Sequence, residues 1–226
     1  MDRFRVWAAA LYGALVVTHL IAQLADAADL AQVTQWVAMP LLVVAFLAQR
    51  PPSGRRTRFV LVALFFSWLG DALPDFFTGD PAFLVMVAAF LFAQIAYIAS
   101  FLPHWRDSYL RSPWLLAYAA AIGVLVYFCA PHAGNLLVPV LIYGAALGTM
   151  AVLASGFNGM TTAGGALFLL SDGLIAVGAF ATDISLPMAD FWIMLTYLVG
   201  QGLLAYGVAH RRARLKGVDH PRHSVG

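Results

Sequence analysis

The chain contains no glutamate and a single lysine, Lys216; its 11 acidic residues are all aspartate, and the rest of its 13 basic residues are arginine. That bias reflects genomic composition, not chemistry. Charge of either sign is scarce: 11% of the 226 residues are charged, against about 25% in soluble domains. A soluble globular domain is therefore excluded, and no nucleic-acid partner is expected. Cys129 is the only cysteine, so an intramolecular disulfide and a multi-cysteine metal site are excluded as well. It lies in an apolar run and is read as a small packing residue. The fingerprints of soluble enzymes are missing too: there is no glycine-rich phosphate loop, nucleophile elbow or HExxH helix. His210, His220 and His223 lie near the C-terminus without carboxylate or cysteine partners at ligand spacing. Neither a metal nor a cofactor is expected.

What the chain does have is hydrocarbon. It is 62% hydrophobic, and a spanning helix needs about 20 mostly apolar residues. Eight runs qualify: 6–25, 33–48, 59–77, 82–102, 113–130, 136–155, 163–181 and 188–209. The breaks carry turn chemistry, as in Pro51-Pro52-Ser53-Gly54, Thr78-Gly79-Asp80-Pro81, Pro131-His132-Ala133-Gly134 and Gly156-Phe157-Asn158-Gly159. The second run is short and holds Pro40, which predicts a kinked or partly buried span. The first is longer than a signal-peptide core and contains His19, so it is read as a retained anchor. The fold class is all-α, a polytopic bundle of eight transmembrane helices. Residues 1–210 form one domain, and 211–226 form a short basic tail.

Orientation follows from basic residues in short loops. With eight spans, all 13 basic residues fall on one side. The opposite loops hold Asp26, Asp29, Asp80 and Asp183 and no basic residue. Both termini are therefore expected in the cytoplasm, with a bacterial inner membrane as the expected location. The tail is read as a topology signal beside anionic lipid.

Two aspartates stand inside spans with no topological reason to be there: Asp71 in the third and Asp172 in the seventh. Placing an ionisable group at that depth costs about 2.5–3.5 kcal/mol on the insertion scale, so it usually faces the protein interior and marks function. Ser67, Asp71 and Asp75 follow at i, i+4 and i+8, the spacing of one helix face, with Asp71 the deeper acid and Asp75 near the outer end, where solvation is expected. Ser171 precedes Asp172. Gln94 and Tyr97 lie on span four, Tyr143 on span six, and Tyr197 and Gln201 on span eight. At a rise of about 1.5 Å per residue these groups share a layer from the outer third to the midplane. Asp71 and Asp172 are the candidate catalytic pair. Ser67, Gln94, Tyr97, Tyr143, Ser171, Tyr197 and Gln201 are candidates for binding or orienting a substrate. The bland readings are a structural polar clamp for the aspartates, bonding of each serine to the preceding turn, and satisfied packing hydroxyls for the tyrosines. His19 reads as a core histidine.

Several blocks in this order resemble the YhhN-like lysoplasmalogenase family. They are Met39-Pro40-Leu41-Leu42, Ser67-Trp68-Leu69-Gly70-Asp71, Gln94-Ile95-Ala96-Tyr97, Tyr143, the run from Gly165 to Asp172, and Tyr197-Leu198-Val199-Gly200-Gln201. Two positions depart from the family pattern. A histidine is usual where this chain has Gln94, and a lysine-proline pair where it has Gln35-Trp36. The resemblance implies hydrolysis of the vinyl ether of a lysoplasmalogen, with a lysophospholipid substrate drawn from bilayer lipid. That reaction needs a proton donor and a negative group beside an oxocarbenium ion, which two buried carboxyls can divide between them. The same intramembrane aspartates and the proline-interrupted helix also suit a proton-coupled carrier. A non-catalytic lipid-binding protein is a third reading.

Overall fold

The computed structural model describes residues 3–181 and 185–210. Asp183 and the basic tail lie outside the described residues. Eight helices long and apolar enough to span a membrane follow one another: α1 (Arg3–Leu24), α2 (Ala28–Ala48), α3 (Arg55–Ala72), α4 (Asp80–Phe101), α5 (Trp114–Cys129), α6 (Leu137–Ala154), α7 (Gly159–Phe180) and α8 (Ala189–Ala209). Among the described residues there is no strand. This is an integral membrane protein with an all-helical fold.

The helix ends differ from the hydropathy limits for identifiable reasons. α2 starts at Ala28 because residues 28–32 are good helix formers but not apolar, and Asp29 sits in its first turn, where the helix dipole favours a negative charge. It runs unbroken through Pro40. α7 starts at Gly159 because Asn158 caps it: the Asn158 side chain accepts from the Thr161 amide at 3.0 Å and the Thr161 hydroxyl accepts from the Asn158 amide at 3.1 Å. The same Asn158 donates to the carbonyl of Gly207 at 2.7 Å, which ties the start of α7 to the end of α8. α3 ends at Ala72, and residues 73–76, which include Pro74, continue as a 3-10 turn. Asp75 thus leaves the line of Ser67 and Asp71. It is exposed and accepts from Trp36 Nε1 at 2.8 Å and Gln32 Nε2 at 3.0 Å.

Pro40 has no amide hydrogen, so the carbonyl of Trp36, one turn back, loses its helical donor. Trp68 Nε1 on α3 donates to that carbonyl at 3.0 Å. In lipid an unpaired backbone group costs several kcal/mol, so the proline creates an acceptor and the neighbouring helix satisfies it.

Packing centres on α7 and α8, the most intimate pair, held by glycines. A Cβ on Gly164 would stand 2.8 Å from the carbonyl oxygen of Gly200 and 2.8 Å from the nitrogen of Leu204. On the next face, a Cβ on Gly165 would stand 3.1 Å from Ala151 of α6. Without a hydrophobic drive between helices in lipid, such close approach is the main source of association. α3 pairs with α4 and α1 with α2, and α1 also touches α8. By contrast α5 is peripheral, with Cys129 its sole buried residue. That thiol packs with Ala133 and Phe180, as the packing reading has it.

Gly164→Ala should lower the thermal stability of the purified protein by about 1–3 kcal/mol, the range for overpacking. Gly13→Ala, where a Cβ meets nothing within 4 Å, should leave it unchanged. Equal melting temperatures for the two variants would refute the tight α7–α8 contact.

Candidate active site

The two buried aspartates reach the interior from different helices. Asp71 on α3 and Asp172 on α7 are 5% and 7% exposed. Both line one cavity of about 580 Å³. α3 and α7 are not major packing partners, so the carboxyls meet across space and not across a helix contact. Ser171 and Tyr197 also line this cavity, with Gln23, Gln35 and Asp190. Among the described residues, no lysine, arginine or histidine lines it.

Each carboxylate has a tyrosine. The Tyr197 hydroxyl donates to Asp71 Oδ2 at 2.8 Å. The Tyr143 hydroxyl donates to Asp172 Oδ2. The Tyr197 ring is boxed by Phe90 and Phe168, with centroids 5.7 and 5.6 Å away and edge-to-face geometry. Phe90 in turn lies on Gly70, where a Cβ would stand 2.7 Å from its ring. Any larger residue at 70 pushes Phe90 away from α3, and with it the support of the Tyr197 ring. The sequence Gly70-Asp71 therefore sets both the carboxyl and the tyrosine that meets it.

A second polar group lies behind the cavity. Tyr97 donates to Gln201 Oε1 at 2.6 Å, and Gln201 Nε2 donates to Ser67 Oγ at 2.9 Å. All three are buried and none lines the cavity. Tyr197 and Gln201 sit one turn apart on α8, so this chain braces the face that carries Tyr197. Ser171 donates to the carbonyl of Ile193 on α8 at 3.0 Å. Both serines thus bond to α8, and among the described residues no bond of either to its own helix is found. Gln94 is fully buried beside the Tyr143 hydroxyl, and neither of its amide atoms has a hydrogen-bond partner among the described residues.

The candidates thus divide. Asp71, Asp172, Ser171 and Tyr197 face the cavity. Tyr143 borders Asp172 from the α6 side. Ser67, Tyr97 and Gln201 form the brace, and Gln94 lies beside Tyr143 away from the cavity. Gln23, Gln35 and Asp190 were not among the candidates, although all three line the cavity. His19 and Gln23, at i and i+4 on α1, carried a signal for Gln23. His19 is buried as a core histidine, with Nδ1 2.8 Å from Thr34 Oγ1. Among the described residues no three His, Cys, Asp or Glu side chains converge as metal ligands would.

Two aspartates in one cavity without a basic counter-charge, inside eight spans, define a membrane-embedded acidic site. The chain belongs to the YhhN family, whose sequence model matches residues 30–208. It is 35% identical over 170 residues to human lysoplasmalogenase TMEM86B, covering 74% of this chain and 70% of that one. The mouse lysoplasmalogenase TMEM86B is 32% identical over 165 residues, 73% of this chain and 69% of that one. A lysoplasmalogenase of Mycobacterium tuberculosis is 34% identical over 148 residues, 62% of this chain. The match spans 56% of the length of that mycobacterial relative. No solved structure matches.

Gln201→Leu removes both bonds of the brace and leaves Tyr97 and Ser67 unpaired, at a cost of about 1–3 kcal/mol for each buried orphan. Gln94→Leu removes an amide with no such partners and should cost less. Thermal melting of both variants in detergent tests the order, and a reversed order would refute the brace.

Proposed function

We propose that this chain is an integral membrane hydrolase that cleaves the vinyl ether of lysoplasmalogens, with Asp71 and Asp172 as the reacting carboxyls. The observation that carries this reading is the pair of carboxyls facing one cavity with no basic residue among the described residues of its walls. The relatives named lysoplasmalogenase point to the same chemistry.

The reaction begins with proton transfer from a carboxyl to the β-carbon of the vinyl ether. This gives an oxocarbenium ion whose positive charge the second, ionised carboxylate stabilises across the cavity. Water adds to the cationic carbon and returns a proton to the site. The hemiacetal then collapses to a fatty aldehyde and a glycerophospho-headgroup alcohol. A nearby arginine would oppose the cation, and the cavity walls carry none. Tyr197 and Tyr143 hold the two carboxyls in place, Ser171 lies beside Asp172, and the buried Gln94 amide acts indirectly, by orienting the neighbouring Tyr143. Ser67, Tyr97 and Gln201 act indirectly, by bracing α8.

In this reading residues 1–210 are the single catalytic domain, both termini are cytoplasmic, and the bacterial inner membrane is the site of action. The cavity then opens toward the external face, where Gln23 and Asp190 stand near the ends of α1 and α8. Reporter fusions at Gly54 are expected to read cytoplasmic, and those at Gly79 and Gly134 external. Two reversed signals would overturn the orientation.

Asp71→Asn and Asp172→Asn should each cut aldehyde release from a lysoplasmalogen by at least the ~10²–10⁴-fold typical of a general acid or base, with folded yield retained. Ser67→Ala and Ser171→Ala should cost less. Turnover that survives both aspartate substitutions would refute the mechanism. No aldehyde from the wild type with either choline or ethanolamine headgroups would favour a carrier that uses the same aspartates.

A further inference from the structure

Asp172 has a second setting that the reaction above does not use. On the side away from the main cavity it borders a slot of about 60 Å³ between α5, α6 and α7. Apart from Asp172 and Tyr143, which stand partway along it, the slot is lined by apolar or glycine residues, among them Ile122, Val126, Leu141, Gly144 and Leu147. It runs from Leu147 toward Leu137 along α6, about 15 Å at 1.5 Å per residue. Its outer wall is α5, whose sole buried residue is Cys129. Slot and cavity meet only at a carboxyl, so a molecule that fills both must be apolar on one side of that point and polar on the other.

Resting on the hydrolase reading, we propose that the α5–α6–α7 slot takes the single alkenyl chain of the substrate, which slides in from the bilayer between α5 and α6. The headgroup then lies in the main cavity, and the ether stands at Asp172. The β-carbon is on the chain side of the ether oxygen, which sets it next to that carboxyl. A single-chain lysophospholipid has one apolar tail for this one apolar slot, whereas a two-chain phospholipid would need a place for a second. A smaller apolar pocket of about 40 Å³ between α4, α6 and α7 also borders Asp172, and it includes Phe83 and Val87. Well-packed helices wall it, and none of them is loosely seated as α5 is, so it is the poorer route from lipid.

Gly144 makes the test clean, because a Cβ there meets nothing within 4 Å. Gly144→Phe fills the slot from α6, and Val126→Trp fills it from α5. Each should raise KM for a long-chain lysoplasmalogen at least tenfold while a four-carbon alkenyl analogue keeps its kcat/KM. Val87→Trp, in the other pocket, should leave the long-chain KM as in wild type. In parallel, a saturated alkyl-ether lysophosphoethanolamine with a diazirine in its chain is cross-linked to the protein in nanodiscs. Labelling should fall on residues 122–129 and 137–147 and be displaced by excess unlabelled alkyl-ether lipid. If Val87→Trp alone raises KM, or if the label falls on residues 83–87 or spreads undisplaced over all lipid-facing helices, the slot assignment is wrong. If wild type releases no aldehyde but the displaceable label marks the slot, the hydrolase reading fails and the chain site stands.

Discussion

A tyrosine hydroxyl facing each buried carboxylate is the interaction on which the rest of the molecule depends. A carboxyl inside the hydrocarbon layer must find donors from protein, because lipid offers none. Here the donors come from α8 for Asp71 and from α6 for Asp172. Four helices are thereby committed to one another, and each tyrosine must be supported in turn. Phe90 and Phe168 fix the ring of Tyr197, Gly70 makes room for Phe90, and Gly164 and Gly200 bring α7 close enough to α8 for Phe168 to reach. The glycines are thus as much a part of the site as the acids, although none of them carries any chemistry.

The same geometry explains how two carboxyls can share a cavity without a basic residue. They sit on helices that scarcely touch, each with its own donor, so open space remains between them. A structural ion pair would close that gap with an arginine. In the proposed reaction this acidic cavity faces a positive charge that appears for a moment and then disappears.

Much of this was legible in the sequence, for a simple reason. Long apolar runs report spans directly, and an aspartate within such a run stands out against its background. The ends were less legible because helices continue past the hydrocarbon into polar residues, as at Ala28, and because a cap such as Asn158 resembles a turn. Asp75 illustrates a different limit. Its spacing matched Asp71, but Pro74 changed the helix type between them. Sequence spacing also could not assign partners: Ser67 and Ser171 bond to α8 and not to their own turns, and Tyr97 serves Gln201 behind the cavity. Such pairings depend on which helix faces which, and that is decided by the glycine contacts. Gln23 and Asp190 were overlooked because polar residues near a span end have an ordinary explanation in water.

Pro40 is usually the sort of residue that weakens a helix. In this bundle it frees one carbonyl at one height on α2, and Trp68 on α3 claims it. A slide of α3 by a single turn would carry the indole about 5.4 Å past that oxygen and leave both groups without partners. The missing hydrogen bond therefore works as a detent that fixes the sliding register of two otherwise smooth apolar rods. Asp71 lies three residues beyond Trp68, so its depth in the membrane is set by a proline on another helix.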